Sequence, residues 1–170
     1  MIAPLLHAKS MNPEKRVDAT LLEGRRQTLL AAWKEVKEHG RQHETQRATA
    51  TNMILLLASA DVGAMATLGF GSRSVPLAIV LIVLGVFGVL LTGKHYERFQ
   101  RSEAVASEIQ SRLEASDPEL GWLAANERGR RGHAQNYPIM SRLRLNKIWS
   151  SLHLLVVAAG VATLFASVVA

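Results

Sequence analysis

Three apolar runs constrain this chain more than anything else in it: residues 53–71, 75–93 and 148–170. The first two hold 19 residues each and the third 23. As helices they reach about 28–35 Å at 1.5 Å per residue, enough to cross a bilayer core of ~30 Å. The remainder is rich in Arg, Lys, Glu and Gln, so the 48 % hydrophobic content is concentrated rather than spread. The expected fold class is therefore all-α: an integral membrane protein with a tight two-helix transmembrane hairpin, a third C-terminal transmembrane helix and long cytoplasmic helical extensions. No segment reads as a strand.

The charge of +6 is explained by topology. Lys34, Lys37, Arg41 and Arg47 precede the first run, and Lys94, Arg98, Arg101 and Arg112 follow the second. Six more basic residues between Arg128 and Lys147 precede the third, whereas the connection between the first two holds only Arg73. The positive-inside rule then places both polar segments in the cytoplasm, the N-terminus inside and the C-terminus outside. The location expected is the bacterial cytoplasmic (inner) membrane. The opening "MIAPLLHAKSMN" lacks the apolar run and cleavage pattern of a signal peptide, so the first span is expected to act as an uncleaved insertion signal. Basic stretches such as "RGRR" at 128–131 lie beside a membrane-entry point, where anionic lipid accounts for them and no nucleic acid is needed.

The expected organisation is a flexible arm over 1–17, a cytoplasmic amphipathic helix over 18–52, the hairpin over 53–93, a cytoplasmic helical segment over 94–147 and the third span over 148–170. Leu22, Leu29, Trp33 and Val36 form one apolar stripe and Phe99, Ala106, Ile109 and Leu113 another. Both extensions are expected to continue directly from the spans as a stalk. At the hairpin turn Gly69 and Gly71 suit a helix end, Ser74 an N-cap and Pro76 a first turn. "SDPEL" at 116–120 reads as a helix restart, Gly129, Gly132 and "QNYP" as a loop, and Pro138 as the start of the helix leading to the third span.

Little here carries chemistry. The chain has no cysteine, no phosphate-cradling glycine loop, no nucleophile elbow and no HExxH helix. No enzymatic activity, cofactor or metal is expected. His39 and His43 share a helical face at a zinc-compatible spacing, but "HGRQHE" lacks the metalloprotease glutamate, and a solvated or membrane-proximal pair is the simpler reading. His95 and His133 stand alone in the sequence.

Asp61 is the exception. It lies eight residues into the first run, about 12 Å along a helix, where an ionised carboxylate costs at least ~2.5–3.5 kcal/mol on insertion scales. It should therefore face protein or water. Three roles stand open: a ring of acids lining the lumen of an oligomer, a proton-linked site, or an interhelical polar contact with His153, Thr163 or Ser167 as partner. Ser59 and Thr67 are further polar candidates on the same span. Small residues recur every four positions as Ser59, Gly63 and Thr67, and as Ala60 and Ala64. The third run repeats the device with Ala158, Ala162 and Ala166, and with Ala159, Thr163 and Ser167. Such stripes let helix backbones approach in lipid, within one chain or between chains.

The exit of the second run, "KHYERFQRSEAVASEIQSRLEA", adds a resemblance. A two-span hairpin flanked by long cytoplasmic helices, with Lys94, Tyr96, Arg98 and Phe99 at the exit, resembles the SLATT group of small bacterial membrane proteins over roughly residues 18–115. The third span departs from a two-span plan. The resemblance implies an oligomerising, pore-forming effector of conflict (anti-phage) systems, and it brings no catalytic residues. The leading expectation is therefore an inner-membrane homo-oligomeric channel or membrane-disrupting effector, and the alternative is a non-conducting membrane anchor or scaffold that recruits a soluble cytoplasmic partner through residues 18–50 and 94–135. Membrane lipid and further copies of the chain are the other expected partners.

Overall fold

The protein, described from a computed structural model that covers residues 13–69 and 71–169, is helical throughout its long elements, with no strand among the described residues. Helix α1 spans Pro13–Leu68, α2 Val75–Ser116, α3 Trp122–Asn136 and α4 Leu145–Val169. Of these, α1, α2 and α4 are long and apolar enough to cross a membrane. Residues 53–68, 75–93 and 148–169 of the apolar runs thus lie in helices that extend beyond them into the polar segments, as the scarcity of breakers implies. Gly24 and Gly40 do not interrupt α1. Residues 13–17, assigned to the arm on sequence, are already helical, because Pro13 is tolerated in a first turn. The rest of the arm, residues 1–12, lies outside the described residues.

Helix α1 reverses into α2 through a short turn. Gly69 has φ +73°, a left-handed conformation that L side chains rarely adopt. Ser74 is the N-cap residue of α2, and its hydroxyl bonds back to the Gly71 carbonyl at 2.8 Å instead of capping forward. The two helices then run antiparallel along α2, and the first turns of α1 extend past its end. Cross-helix contacts fix the register: His43 by His95, Lys37 to Glu103 at 2.7 Å, and Arg26 to Asp117 at 3.3 Å.

Helix α2 is the centre of the molecule, with α1 on one side and α4 on another. Its buried residues Ala78, Leu81, Gly85, Gly88 and Thr92 alternate at three and four residues, as do Arg47, Thr51, Ile54, Ala58, Asp61 and Met65 of α1. That alternation is the seam of helices packed at a shallow crossing angle. The apolar core of this region is Ala58, Met65, Ala78 and Leu81, with Leu77, Val156 and Leu164 packed on it.

Helix α4 approaches α2 more closely than ordinary side chains permit. A Cβ at Gly85 would lie 2.7 Å from the Val157 backbone nitrogen, and one at Gly160 would lie 2.9 Å from that of Ile82. A Cβ at Gly88 would stand 2.1 Å from Nδ1 of His153. At the far end Ser74 and Ser167 exchange a hydrogen bond of 2.8 Å.

Between α2 and α4 the sequence expectations need correcting. Residues 118–120 do restart the helix, with Asp117 as N-cap residue and Pro118 in the first turn, but as a single 3-10 turn and not as an α-helix. Gly121 (φ 58°) then reverses the chain, and α3 begins at Trp122. The start of α3 is capped from the preceding helix: Oε2 of Glu114 accepts from the backbone N–H of Trp122 at 2.9 Å and of Leu123 at 3.4 Å. Gly129 and Gly132 lie inside α3, not in a loop. Glu127 supports that turn by bonding Arg130 at 2.8 Å and Arg131 at 2.7 Å, and these two guanidiniums hold its carboxyl down to about 2. Pro138 does not start the last helix; a 3-10 turn over Met140–Arg142 follows, and α4 begins at Leu145.

Candidate functional site

The polar residues that matter gather where α1, α2 and α4 meet at the stalk end of the apolar segments. Arg47 sets the first level. It is 3 % exposed, bonds Glu44 at 2.8 Å and holds its guanidinium carbon 5.7 Å from the ring centroid of Trp149 on α4. A guanidinium over an indole face is a favourable cation–π arrangement, and more so when it is withdrawn from water.

One helical turn further along both helices, Thr51 Oγ1 meets His153 Nε2 at 3.2 Å. Arg47 to Thr51 and Trp149 to His153 are both steps of four, so α1 and α4 run parallel here and meet rung by rung. His153 is 0 % exposed, and its ring lies on the α2 backbone at Gly88. The glycine supplies the space and α4 supplies the ring. Below Arg47, the His43 and His95 rings lie 6.0 Å apart. His95 is therefore not alone. Burial lowers its pKa first, and the charges of His43, Arg98 and Arg47 lower it further.

The column ends above His153. Ile54 and Ala58 are the next buried positions of α1, and both are apolar. Asp61 follows, 9 % exposed, with Oδ2 enclosed and without a hydrogen-bond partner. Met65 closes the face one turn beyond. The acid thus sits on the inner face of the protomer between apolar layers.

Its expected partners are engaged elsewhere. His153 bonds Thr51, Ser167 bonds Ser74, and Thr163 donates to the Ala159 carbonyl at 2.8 Å. The reason is register. Helix α4 runs parallel to α1, and its polar residues meet hydroxyls at the two ends of the apolar layer instead of the acid within it.

The remaining sequence candidates lie elsewhere. Ser59 and Thr67 are exposed and donate to the Leu55 and Ala64 carbonyls in their own helix. Ala60, Gly63, Ala64, Ala158 and Ala162 are exposed and Ala166 is half-buried; nothing lies within 4 Å of a Cβ built at Gly63. Those stripes do not make the close approach within the chain, which falls to Gly85, Gly88 and Gly160. His39 lies 3.8 Å from Glu35, and His133 lies 5.3 Å from the Tyr137 ring. No three His, Asp or Glu side chains converge on a metal-sized site among the described residues.

Sequence reading missed the Arg47–Trp149 and Thr51–His153 rungs. One signal for them was present: a basic residue and a hydroxyl precede the first run and two aromatic rings open the third, at the same four-residue step. Compared with known proteins, the chain matches no family model, no curated protein and no solved structure.

Proposed function

We propose that this chain is a membrane-embedded anchor of the bacterial cytoplasmic membrane, crossing it three times and presenting a cytoplasmic helical stalk to a soluble partner. The observation that carries the non-conducting part of this reading is the place of Asp61. A lumen acid must face water, whereas this one lies on the protomer's inner face between Ala58 and Met65 with Oδ2 enclosed. No polar path joins it to the Thr51–His153 rung, because Ile54 and Ala58 intervene.

Membrane insertion is supported by the outward faces of the apolar segments. Leu56, Val83, Phe87, Leu90, Leu155 and Phe165 are all exposed on the chain, a surface suited to lipid. Ile139, Met140 and Leu143 are exposed as well, beside Arg142, Arg144 and Lys147, a composition suited to the membrane interface. On the stalk, Val17, Leu21 and Leu22 are uncovered and available to a partner helix.

A homo-oligomeric channel or membrane-disrupting effector is the second reading. It is favoured by the outward stripe of Ser59, Gly63 and Thr67, which a second copy would find easy to approach. The two readings separate on current. The purified chain in planar bilayers is expected to carry none, and Asp61→Asn to change nothing. Cation currents in the wild type that Asp61→Asn abolishes would overturn the anchor in favour of the pore.

A further inference from the structure

Where α1 and α2 leave the apolar region, the groove between them holds an excess of basic groups. Val36, His39 and His43 from α1 and Arg98, Arg101, Ser102 and Val105 from α2 line one pocket of about 380 Å³. The acids nearby in sequence are already engaged. Glu35 lies 3.8 Å from His39, Glu44 bonds Arg47, and Glu97 is bonded by Lys94. Neither Arg98 nor Arg101 forms an ion pair or a hydrogen bond among the described residues, although both lower the pKa of Glu97 through space. Nδ1 of His43 is buried and has no partner. The pocket thus collects two guanidiniums, two imidazoles and a hydroxyl between two valines, with one carboxylate at its edge.

We infer that this pocket binds a phosphate group, either the headgroup of an anionic lipid or a free phosphate from the cytoplasm. Guanidiniums present paired N–H donors that match phosphate oxygens, and the hydroxyl and a ring N–H add single donors. Its depth suits both sources. Arg98 and Arg101 stand five and eight residues beyond Gly93, roughly 7.5 and 12 Å along the helix. Headgroups occupy about 5–7 Å outside the hydrocarbon core, so Arg98 lies at their outer edge and Arg101 in the cytoplasm beyond. The depth argument rests on the membrane reading above; the charge argument does not.

The test uses the full chain in an uncharged maltoside detergent, titrated by calorimetry with two probes: dihexanoyl phosphatidic acid and inorganic pyrophosphate. The wild type is expected to bind at least one of them. Arg98→Gln with Arg101→Gln should weaken that binding tenfold or more, while Arg128→Gln on α3 leaves it unchanged. Binding of the lipid alone identifies a headgroup site; binding of pyrophosphate identifies a soluble phosphate. Failure of both probes, or equal binding by all three proteins, overturns the proposal. A disulfide between Ser74→Cys and Ser167→Cys, formed equally in each background, shows that the variants keep their fold. An alkaline carbonate wash of native membranes judges the membrane reading separately, since release from the membrane would sink the anchor without touching the pyrophosphate result.

Discussion

The two faces of α2 are held by different physics. Towards α4 the contact is made by backbone shape: Gly85, Gly88 and Gly160 let the helices meet at distances that no Cβ tolerates. Towards the stalk half of α1 it is made by side chains, with Lys37 on Glu103 and Arg26 on Asp117 just past the helix end flanking the buried Ala106 and Leu113, while Trp33 meets Trp122 of α3 edge-on at 4.9 Å. The first kind of contact is short-ranged and unforgiving. The second is adjustable, and each exposed ion pair adds no more than about 1 kcal/mol. On the membrane reading proposed above, the difference follows the surroundings of each region. In lipid no hydrophobic force draws helices together, so close packing must do it, whereas in water apolar stripes and charges suffice. On that reading the membrane end is held by backbone shape and the stalk by adjustable side-chain contacts.

The largest effect should therefore come from one methyl group at the close contact. Gly85→Ala places a Cβ 2.7 Å from the Val157 backbone nitrogen, and no rotamer relieves a backbone clash. We expect α4 to separate from α2, at a cost of about 1–3 kcal/mol. The chain has no cysteine, so Ser74→Cys with Ser167→Cys provides a clean reporter; their hydroxyls lie 2.8 Å apart. Disulfide formation should fall sharply in the Gly85→Ala background. Undiminished crosslinking would mean that the glycine contact is not what holds α4 in place.

A smaller effect should appear at the adjustable face as the pH falls. The folded-state pKa of His95 lies below its ordinary value, from burial and from the positive charge of His43, Arg98 and Arg47; Glu44, bonded to Arg47, is the acid on the α1 side. The unfolded chain then binds more protons than the folded one just below the ordinary histidine value. Stability contributed by neutral His95 is complete at higher pH and is lost progressively as pH falls through 6.5 towards the lowered value. Thermal unfolding of the full chain in detergent at pH 7.5 and 5.5 should show the loss, and His95→Gln should reduce it. An identical pH response in that variant would remove His95 from the account.

The same division explains what the sequence disclosed. The three long helices and the run of each extension out of its span were legible, because apolar length and stripe period are local properties. The antiparallel α1–α2 turn was legible in Gly69, Ser74 and Pro76. What failed was register. Nothing local tells His153 that Thr51 on a helix 102 residues away, and not Asp61, will stand opposite its ring. The small-residue stripes left a related question open: spacing identifies a face that permits close approach, but not whether that face is used within the chain or between copies. The actual contact, at Gly85, Gly88 and Gly160, lies partly on α2, where no stripe was read. Helix α3 survived its two glycines because paired charges on Glu127, Arg130 and Arg131 and the cap from Glu114 support it, and the cap depends on a chain reversal.

The smallest effect within the protomer should come from filling the unused stripe. Gly63 is exposed, and a Cβ built there meets nothing within 4 Å. Gly63→Leu should leave the 74–167 disulfide as efficient as in the parent, in direct contrast to Gly85→Ala. A glycine on the outer face of a helix has no packing reason of its own in a chain that acts alone. A second copy would provide one, because small residues permit close contact between helices in lipid. The substitution therefore reads two things at once. If the anchor works as a single chain, Gly63→Leu changes neither the internal crosslink nor the particle mass measured by light scattering in detergent. If the chain assembles through the Ser59, Gly63 and Thr67 face, the internal crosslink is kept but the mass drops. That second result would return weight to the oligomeric reading, and it would show that a close contact like the one α2 makes with α4 is repeated between copies at α1.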